Sequence, residues 1–304
     1  MAFATLIAGP TASGKSALAI EIAERCGAEV VNADSMQVYA DLAILSARPN
    51  REDIDRVPHR LFGFVPSQTE YSVGHYVRDI APLLSAARSS KRPLVIVGGT
   101  GLYFRALVEG LMPAPSILPR VRAEWRDRAQ TGEDLHRALL ARDPVRAREL
   151  HPNDHPRLLR AIEVFESTGR AYSAWRAENP GEALLARGEW RGVFLSPDRV
   201  TLGGRIAARF ERMMEDGALA EVSALLGHSP PLAANLGVMK AHGMPHLAAL
   251  LRRQIGPDEA ISRSIQDTRA YARRQVMFAR RYLAEPDWAW CSTQDEAREL
   301  LRQP

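Results

Sequence analysis

Gly9-Pro10-Thr11-Ala12-Ser13-Gly14-Lys15-Ser16 is the stretch on which the fold turns. It fills every fixed position of the phosphate-binding loop G-x-x-x-x-G-K-[ST]. The apolar run Phe3-Ala4-Thr5-Leu6-Ile7-Ala8 before it reads as a buried strand, and Ala17 to Ala23 after it as a helix. In that context the glycines let successive backbone N–H groups turn inward around phosphate oxygens, and the helix N-terminus adds partial positive charge. Lys15 then reaches a terminal phosphate and the Ser16 hydroxyl ligates Mg²⁺. The expected ligand is a di- or triphosphate. A bare glycine turn would not require all four fixed positions to be filled.

Working outward, strand and helix patterns alternate over roughly the first 110 residues, as in a parallel α/β sheet. A short strand over Ala28–Ala33 ends at Asp34, a further strand candidate covers Arg60–Val65, and a helix is predicted from Val73 to Ala87. Pro93–Val97 reads as a buried strand closed by Gly98-Gly99-Thr100-Gly101. Ligands of open parallel sheets sit beyond the carboxyl ends of the strands. The loop, Asp34 and Thr100 are therefore the candidate site. Pro113, Pro115 and Pro119 mark a boundary, after which Arg120 to Gly169 is helical and arginine-rich. Strand character resumes at Val193–Leu195. Helices follow over Arg205–Leu226, Leu247–Arg253 and Asp258 to about Leu283, with a last strand at Trp288–Trp290. The division is a core of residues 1–115 and 190–304, interrupted by a helical insertion at 116–189.

Composition narrows the class. With 46% hydrophobic and 25% charged residues the chain reads as globular rather than disordered. No run approaches the ~18 apolar residues of a membrane span. Cys26 and Cys291 join no metal-binding or redox spacing, which suits a reducing cytoplasm. The eight histidines show no ligand spacing either. Hydrolase signatures are absent, and a monomer is the default.

A phosphate-loop NTPase usually adds an acid at the end of a second strand to hold Mg²⁺ through water. The strand over Leu94–Val97 ends in glycines instead, and the only acid at a strand end is Asp34. Local sequence leaves Asp34 open as a base, as a helix cap or as a water-mediated Mg²⁺ ligand. It likewise leaves Thr100 open between orienting a reacting group and closing a turn. Arg205 and Arg209, four apart, either meet a diphosphate or face solvent. Toward the C-terminus, at about 100° per residue, Arg263, Arg269, Arg273, Arg274, Arg280 and Arg281 share one side of a helix. Ile261, Ile265, Tyr271, Ala272, Val276, Phe278 and Tyr282 are predicted to fill its buried arc. Residues 120–160 hold ten arginines against seven acids. Two basic surfaces on a protein of formal charge +4 suggest a polyanion larger than a nucleotide.

Several segments in order resemble the bacterial tRNA dimethylallyltransferases. They are the phosphate loop, Asn32-Ala33-Asp34-Ser35-Met36-Gln37-Val38-Tyr39, Gly98-Gly99-Thr100-Gly101-Leu102-Tyr103, Asn153-Asp154 with Arg157 to Val164, and Thr268-Arg269-Ala270-Tyr271-Ala272-Arg273-Arg274-Gln275. The resemblance implies a phosphate-loop NTPase-like α/β fold with a mostly helical, tRNA-binding insertion. It also implies prenyl transfer from dimethylallyl diphosphate to N6 of the adenosine 3′ of the anticodon. Asp34 would be the base and Thr100 its partner. Gly9 to Ser16 and Arg205 would hold the diphosphate, with Mg²⁺ on Ser16. Asp34, Ser35, Met36, Gln37 and Thr100 would meet the adenosine. Arg122, Arg157, Leu158, Leu159, Arg160, Arg269, Arg273 and Arg274 would hold the anticodon stem-loop. A small-molecule kinase and a non-catalytic RNA-binding ATPase share parts of this pattern. The first has no use for the arginine helix, and the second should keep the missing acid. The chain departs from the family where Leu45-Ser46-Ala47-Arg48-Pro49 replaces a Gly-Thr-Ala-Lys-Pro-like stretch, where Val238 to Gly243 replaces a Gly-Tyr pair, and where Val276-Met277 replaces Thr-Trp.

Overall fold

A computed structural model describes residues 2–113, 115–284 and 286–302. In chain order the first elements are β1 (Ala4–Ala8), α1 (Lys15–Cys26), β2 (Glu29–Asn32), α2 (Arg51–Arg56), β3 (His59–Arg60), α3 (Val73–Ser90), β4 (Leu94–Gly98) and α4 (Gly101–Val108). Then come α5 (Pro119–Gln130), α6 (Leu135–Leu140), α7 (Pro144–Glu149), α8 (His155–Thr168) and α9 (Tyr172–Glu178). The chain continues through β5 (Trp190–Leu195), α10 (Arg199–Glu215), α11 (Ala218–Leu226), α12 (Met244–Leu251), α13 (Pro257–Tyr282), β6 (Trp288–Cys291) and α14 (Gln294–Arg302).

The strands form one six-stranded sheet in the order β3-β2-β4-β1-β5-β6, with every pairing parallel. Parallel strands are covered on both faces, which is why β1 and β4 are buried along their whole length, with Thr5 the one polar side chain among them. Alternate residues serve opposite faces. Leu6 and Ile96 pack under Tyr76, Ile80 and Leu84 of α3. Ile7 and Val97 pack under Leu18 and Ile22 of α1. Each such fully buried aliphatic side chain contributes about 1.5–3 kcal/mol. The register pairs Ala8 with Gly98 and Asn32 with Val97, so β1, β2 and β4 end level with one another. The three segments that leave them therefore start side by side.

The chain divides into two compact units, residues 1–108 with 184–304, and residues 109–183. The edges expected at 115/116 and 189/190 thus fall at 108/109 and 183/184. Residues 1, 114, 285, 303 and 304 of the expected core lie outside the described residues. The second unit holds α5–α9 around a core of its own that includes Trp125, Leu139, Leu158 and Ile162. Buried Asp143 fastens it, accepting from the backbone N–H of Arg146 (3.0 Å) and Ser173 (2.8 Å) and from the Ser173 hydroxyl (2.7 Å).

Three local expectations change. The strand predicted over Arg60–Val65 shrinks to β3, because Leu61 (φ 62°) and Gly63 (φ 57°) turn left-handed. The single helix expected over Arg205–Leu226 breaks at Gly217, whose φ of 103° no helix interior accepts. The most deeply buried positions of α13 are Ala260, Ser264, Ala272, Gln275 and Ala279; the larger residues predicted there, Ala272 apart, are only partly buried. The arginine face is exposed as expected: Arg263, Arg269, Arg273, Arg274, Arg280 and Arg281 all reach solvent. No helix among the described residues is long and apolar enough to cross a membrane.

Candidate active site

The phosphate loop leaves β1 and ends at the N-terminus of α1, where Gly14 (φ 96°) makes the turn a side chain would strain. Gly9 is required for space, since a Cβ there would lie 2.6 Å from the Leu195 carbonyl oxygen. Lys15 is buried and rests on its own loop, Nζ donating to the Pro10 carbonyl at 3.2 Å. Burial pushes its amine down from 10.5 to about 8; nearby Asp34 opposes that shift and Arg209 adds to it. The Ser13 hydroxyl is buried with no hydrogen-bond partner among the described residues. Arg205 is exposed but reaches the loop, Nη1 donating to the Ser13 carbonyl at 3.2 Å.

Asp34 follows β2 and is held by a turn of its own. Its backbone N–H donates to Asn32 Oδ1 at 2.8 Å, and its Oδ1 accepts from the Met36 N–H at 3.0 Å. Gly98, at the end of β4, has no room for a side chain: a Cβ would lie 2.0 Å from the Ala33 carbonyl oxygen. This close approach brings the Thr100 N–H to Ala33 O at 3.1 Å and the Ser35 N–H to Thr100 Oγ1 at 2.9 Å. Thr100 in turn donates to Ser35 Oγ at 3.3 Å. Thr100 therefore pins the residue after Asp34.

Some of these groups line one cleft, and Thr100 and Arg205 stand outside its lining. The cleft gathers the expected Thr11, Ala12, Lys15, Ser16, Asp34, Met36 and Gln37 with Arg209, one of the two arginines left open by the sequence, and adds His242 and Tyr271. Burial holds Arg209 below its ordinary value while Asp34 draws it up. His242 is kept below the usual imidazole range by burial and then by Arg274, so it is neutral near pH 7. Its ring packs on Tyr271 at a centroid distance of 4.2 Å. Tyr271 and Tyr103 are driven upward by burial first and by the Asp34 charge second, so both phenols stay protonated.

One wall is the loop at Leu45–Arg48. Glu221 anchors it from α11, its carboxylate accepting from the backbone N–H groups of Ala43 (2.6 Å), Ile44 (2.7 Å) and Leu45 (2.9 Å). The Ser46 carbonyl accepts from Gln37 Nε2 (3.0 Å) and Arg209 Nη2 (3.4 Å). Gln37 also donates to Ala47 O at 2.8 Å, so its carbonyl oxygen is the group left to meet a ligand. Leu45, standing where a glycine was expected, is buried in the cluster behind this wall.

Sequence reading passed over Gln275. Buried on α13, its Oε1 accepts from the Thr11 N–H at 3.0 Å and its Nε2 donates to the Gly99 carbonyl at 2.8 Å. It closes the motif Thr268–Gln275, which was its signal in the sequence, and lies one turn from both Ala272 and Ala279 on the buried side of α13.

The remaining expected residues lie elsewhere. Arg269 holds α10, donating to Gly203 O at 3.0 Å, while Arg273 and Arg274 are exposed. In the helical unit Arg157 is exposed and paired with Asp154 at 3.0 Å. Arg122 and Arg160 are half-buried, and their charges act on buried Glu163. Leu158, expected at an RNA surface, is wholly buried beside Trp125 and Ile162; its part is to seat the helix, with Leu159 packed at the edge of the same core.

A family described as IPP transferase matches residues 37–282, and one described as isopentenyl transferase matches residues 3–62. The chain belongs to the IPP transferase family. Among its relatives, the tRNA dimethylallyltransferase of Methylocella silvestris is 48% identical, covering 96% of this chain and 95% of the relative. That of Beijerinckia indica is also 48% identical, covering 98% and 97%. The same architecture occurs in the tRNA isopentenylpyrophosphate transferase of Bacillus halodurans, with a TM-score of 0.68, 26% identity and coverage of 99% and 96%. A eukaryotic dimethylallyltransferase acting on tRNA aligns with a TM-score of 0.78 and 26% identity, over 92% of this chain and 70% of that one. In this IPP transferase the phosphate-loop NTPase-like fold thus carries an acid, Asp34, just after the strand next in sequence, β2, with glycines at the end of β4.

Proposed function

We propose that this IPP transferase is a tRNA dimethylallyltransferase that moves a dimethylallyl group from dimethylallyl diphosphate to N6 of the adenosine 3′ of the anticodon. The observation that carries the reading is that a phosphate loop and a carboxylate, Asp34, face one cleft. The N6 lone pair forms a bond to C1 of the prenyl chain as the C1–O bond breaks. The electron pair leaves with diphosphate, and the N6 proton passes to Asp34. Lys15, Arg205 and Arg209 counter the charge that grows on the leaving oxygens. Thr100 keeps Ser35, and with it the Asp34 turn, in place.

Mg²⁺ fits this donor set. No group of three or more His, Cys, Asp or Glu capable of holding a metal occurs among the described residues. Mg²⁺ commonly takes one or two protein oxygens and completes its octahedron with water and substrate phosphates. Ser16 would be the protein donor, and the ion would neutralise diphosphate charge.

The adenosine is read by Ser35, Met36 and Gln37. The anticodon stem-loop is held through phosphates by the exposed arginines of α13, Arg273 and Arg274 foremost, and by Arg122, Arg157 and Arg160 of the helical unit. Cytoplasmic action as a monomer belongs to the same reading. The test is incubation with labelled dimethylallyl diphosphate, Mg²⁺ and tRNA. Label should enter the RNA and diphosphate should be released. Phosphate transfer from ATP to a small acceptor, with no label in RNA, would establish a kinase instead.

A further inference from the structure

We infer that Glu221 on α11 is a positioning residue for base recognition: through the turn at residues 43–47 it holds the Gln37 carboxamide with its acceptor toward the cleft. The inference rests on the reading of Gln37 as a contact of the adenosine and adds what fixes that contact.

The chain from Ala43 to Ala47 makes a single closed turn. The Ala47 N–H donates to the Ile44 carbonyl at 2.9 Å and the Arg48 N–H to the Ala43 carbonyl at 3.0 Å, and Ala47 ends the turn left-handed at φ 47°. One turn does not hold by itself, because fixing its dihedrals costs more than its few hydrogen bonds return. Its leading N–H groups and trailing carbonyls also need partners. Both ends are met from elsewhere in the fold. At the leading end Glu221 Oε1 accepts from the Ala43 and Ile44 N–H groups at 2.6 and 2.7 Å, and Oε2 from that of Leu45 at 2.9 Å. A carboxylate accepts such bonds about twice as strongly as a neutral group, and three successive N–H donors present it with the positive end of the turn. At the trailing end the Ser46 and Ala47 carbonyls accept from Gln37 Nε2 at 3.0 and 2.8 Å.

Gln37, Leu45 and Ser46 all line the cleft. The two carbonyls can only accept, so Nε2 must face them and Oε1 is left for a ligand. An acceptor there suits an N–H on the edge of adenine and repels a carbonyl oxygen on another base. A glutamine whose partners slacken can turn over and offer Nε2 instead. Glu221 therefore sets which base edge is read without touching the base. The turn keeps a seat that does not depend on this charge, since Leu45 shares an apolar cluster with Val222 and Leu225 of α11. Loss of the carboxylate leaves the turn in place and its ends unaligned.

The experiment measures steady-state prenyl transfer from dimethylallyl diphosphate to an anticodon stem-loop RNA, together with diphosphate binding by calorimetry. The proteins are the full-length wild type, Glu221→Gln, Gln37→Leu and the double variant. Glu221→Gln keeps the shape and sets an amide N–H₂ against a row of N–H groups. Its kcat/KM for RNA should fall about tenfold, the scale of one charge-assisted hydrogen bond, while diphosphate affinity stays within about twofold. Gln37→Leu should cost about as much, and the double variant no more than Gln37→Leu alone, because Glu221 acts through Gln37. Glu221→Asp keeps the charge and loses reach; it should fall between wild type and Glu221→Gln, and it carries the same comparison if Glu221→Gln does not fold. A wild-type kcat/KM in the Glu221 variants overturns the inference. Losses that multiply in the double variant also overturn it, as does diphosphate affinity that drops together with kcat/KM, since each marks a merely structural part. A wild type that puts no prenyl group on the RNA instead overturns the reading of the protein as a tRNA dimethylallyltransferase.

Discussion

Asp34 Oδ1 is committed to the Met36 N–H, and the other oxygen remains to take a proton. Asp34→Asn keeps the shape and hydrogen-bonded turn but removes the base. Single-turnover prenyl transfer should fall by about 10²–10⁴-fold, while diphosphate affinity measured by calorimetry stays near wild type. An unchanged rate would remove Asp34 from the reaction. Lys15 makes a second prediction, because its amine titrates near pH 8 in the folded chain. The bound anion prefers the charged amine, so diphosphate affinity should decline as pH rises through about 8. For stability the sign is opposite. Between that value and 10.5 the unfolded chain holds a proton the folded chain has released, so resistance to denaturant contributed by Lys15 should rise with pH across this window. A flat affinity profile from pH 7 to 9.5 would contradict the buried placement of Lys15.

Among elements, the level ends of β1, β2 and β4 decide where chemistry can occur. Gly98→Ala drives a methyl into the Ala33 carbonyl at 2.0 Å and cannot be relieved by a rotamer. Overpacking of this kind costs about 1–3 kcal/mol, to be read from the urea midpoint. Turnover should fall further than stability, because the methyl also separates Thr100 from Ser35. Much of this was legible beforehand. The phosphate loop, Asp34 and Gly98-Gly99-Thr100 each sit where an apolar run stops, and such stops are local patterns. Gln275 was not legible, since nothing beside it in sequence tells that its partners are Thr11 and Gly99. The buried row of α13 misled for a related reason. Ala272 packs in the small cluster that Ala12 of the phosphate loop adjoins, and Ala279 in the core against the sheet, while Val276 and Phe278 stay partly exposed. The extent of β3 was missed because Leu61 adopts a left-handed turn that its residue type disfavours.

For the whole molecule, charge is the organising quantity. The exposed arginines of α13 lie in one unit, and Arg157 with half-buried Arg122 and Arg160 in the other. If they grip RNA phosphates, Arg273→Ala or Arg274→Ala should weaken tRNA binding and lower the slope of log K against log salt by about one. Affinity matching wild type at every ionic strength would show that this face is merely solvated. The same scale explains where sequence reading placed the unit edges. Prolines at 113, 115 and 119 mark a visible change of composition, whereas the contact boundary at 108/109 comes as α4 ends, before that change.

The position of β1 in the sheet also sets an order of events in synthesis. β1 and its loop are made first, and β4, one flank of β1, comes soon after. β5, the other flank, follows only when residues 109–183 have been made. Gly9 lies against the Leu195 carbonyl, so the loop obtains its second wall only when the end of β5 arrives. A growing chain thus carries the complete phosphate-loop sequence long before it carries the completed site. Its slowest pairing, by sequence separation, is the one that encloses the loop.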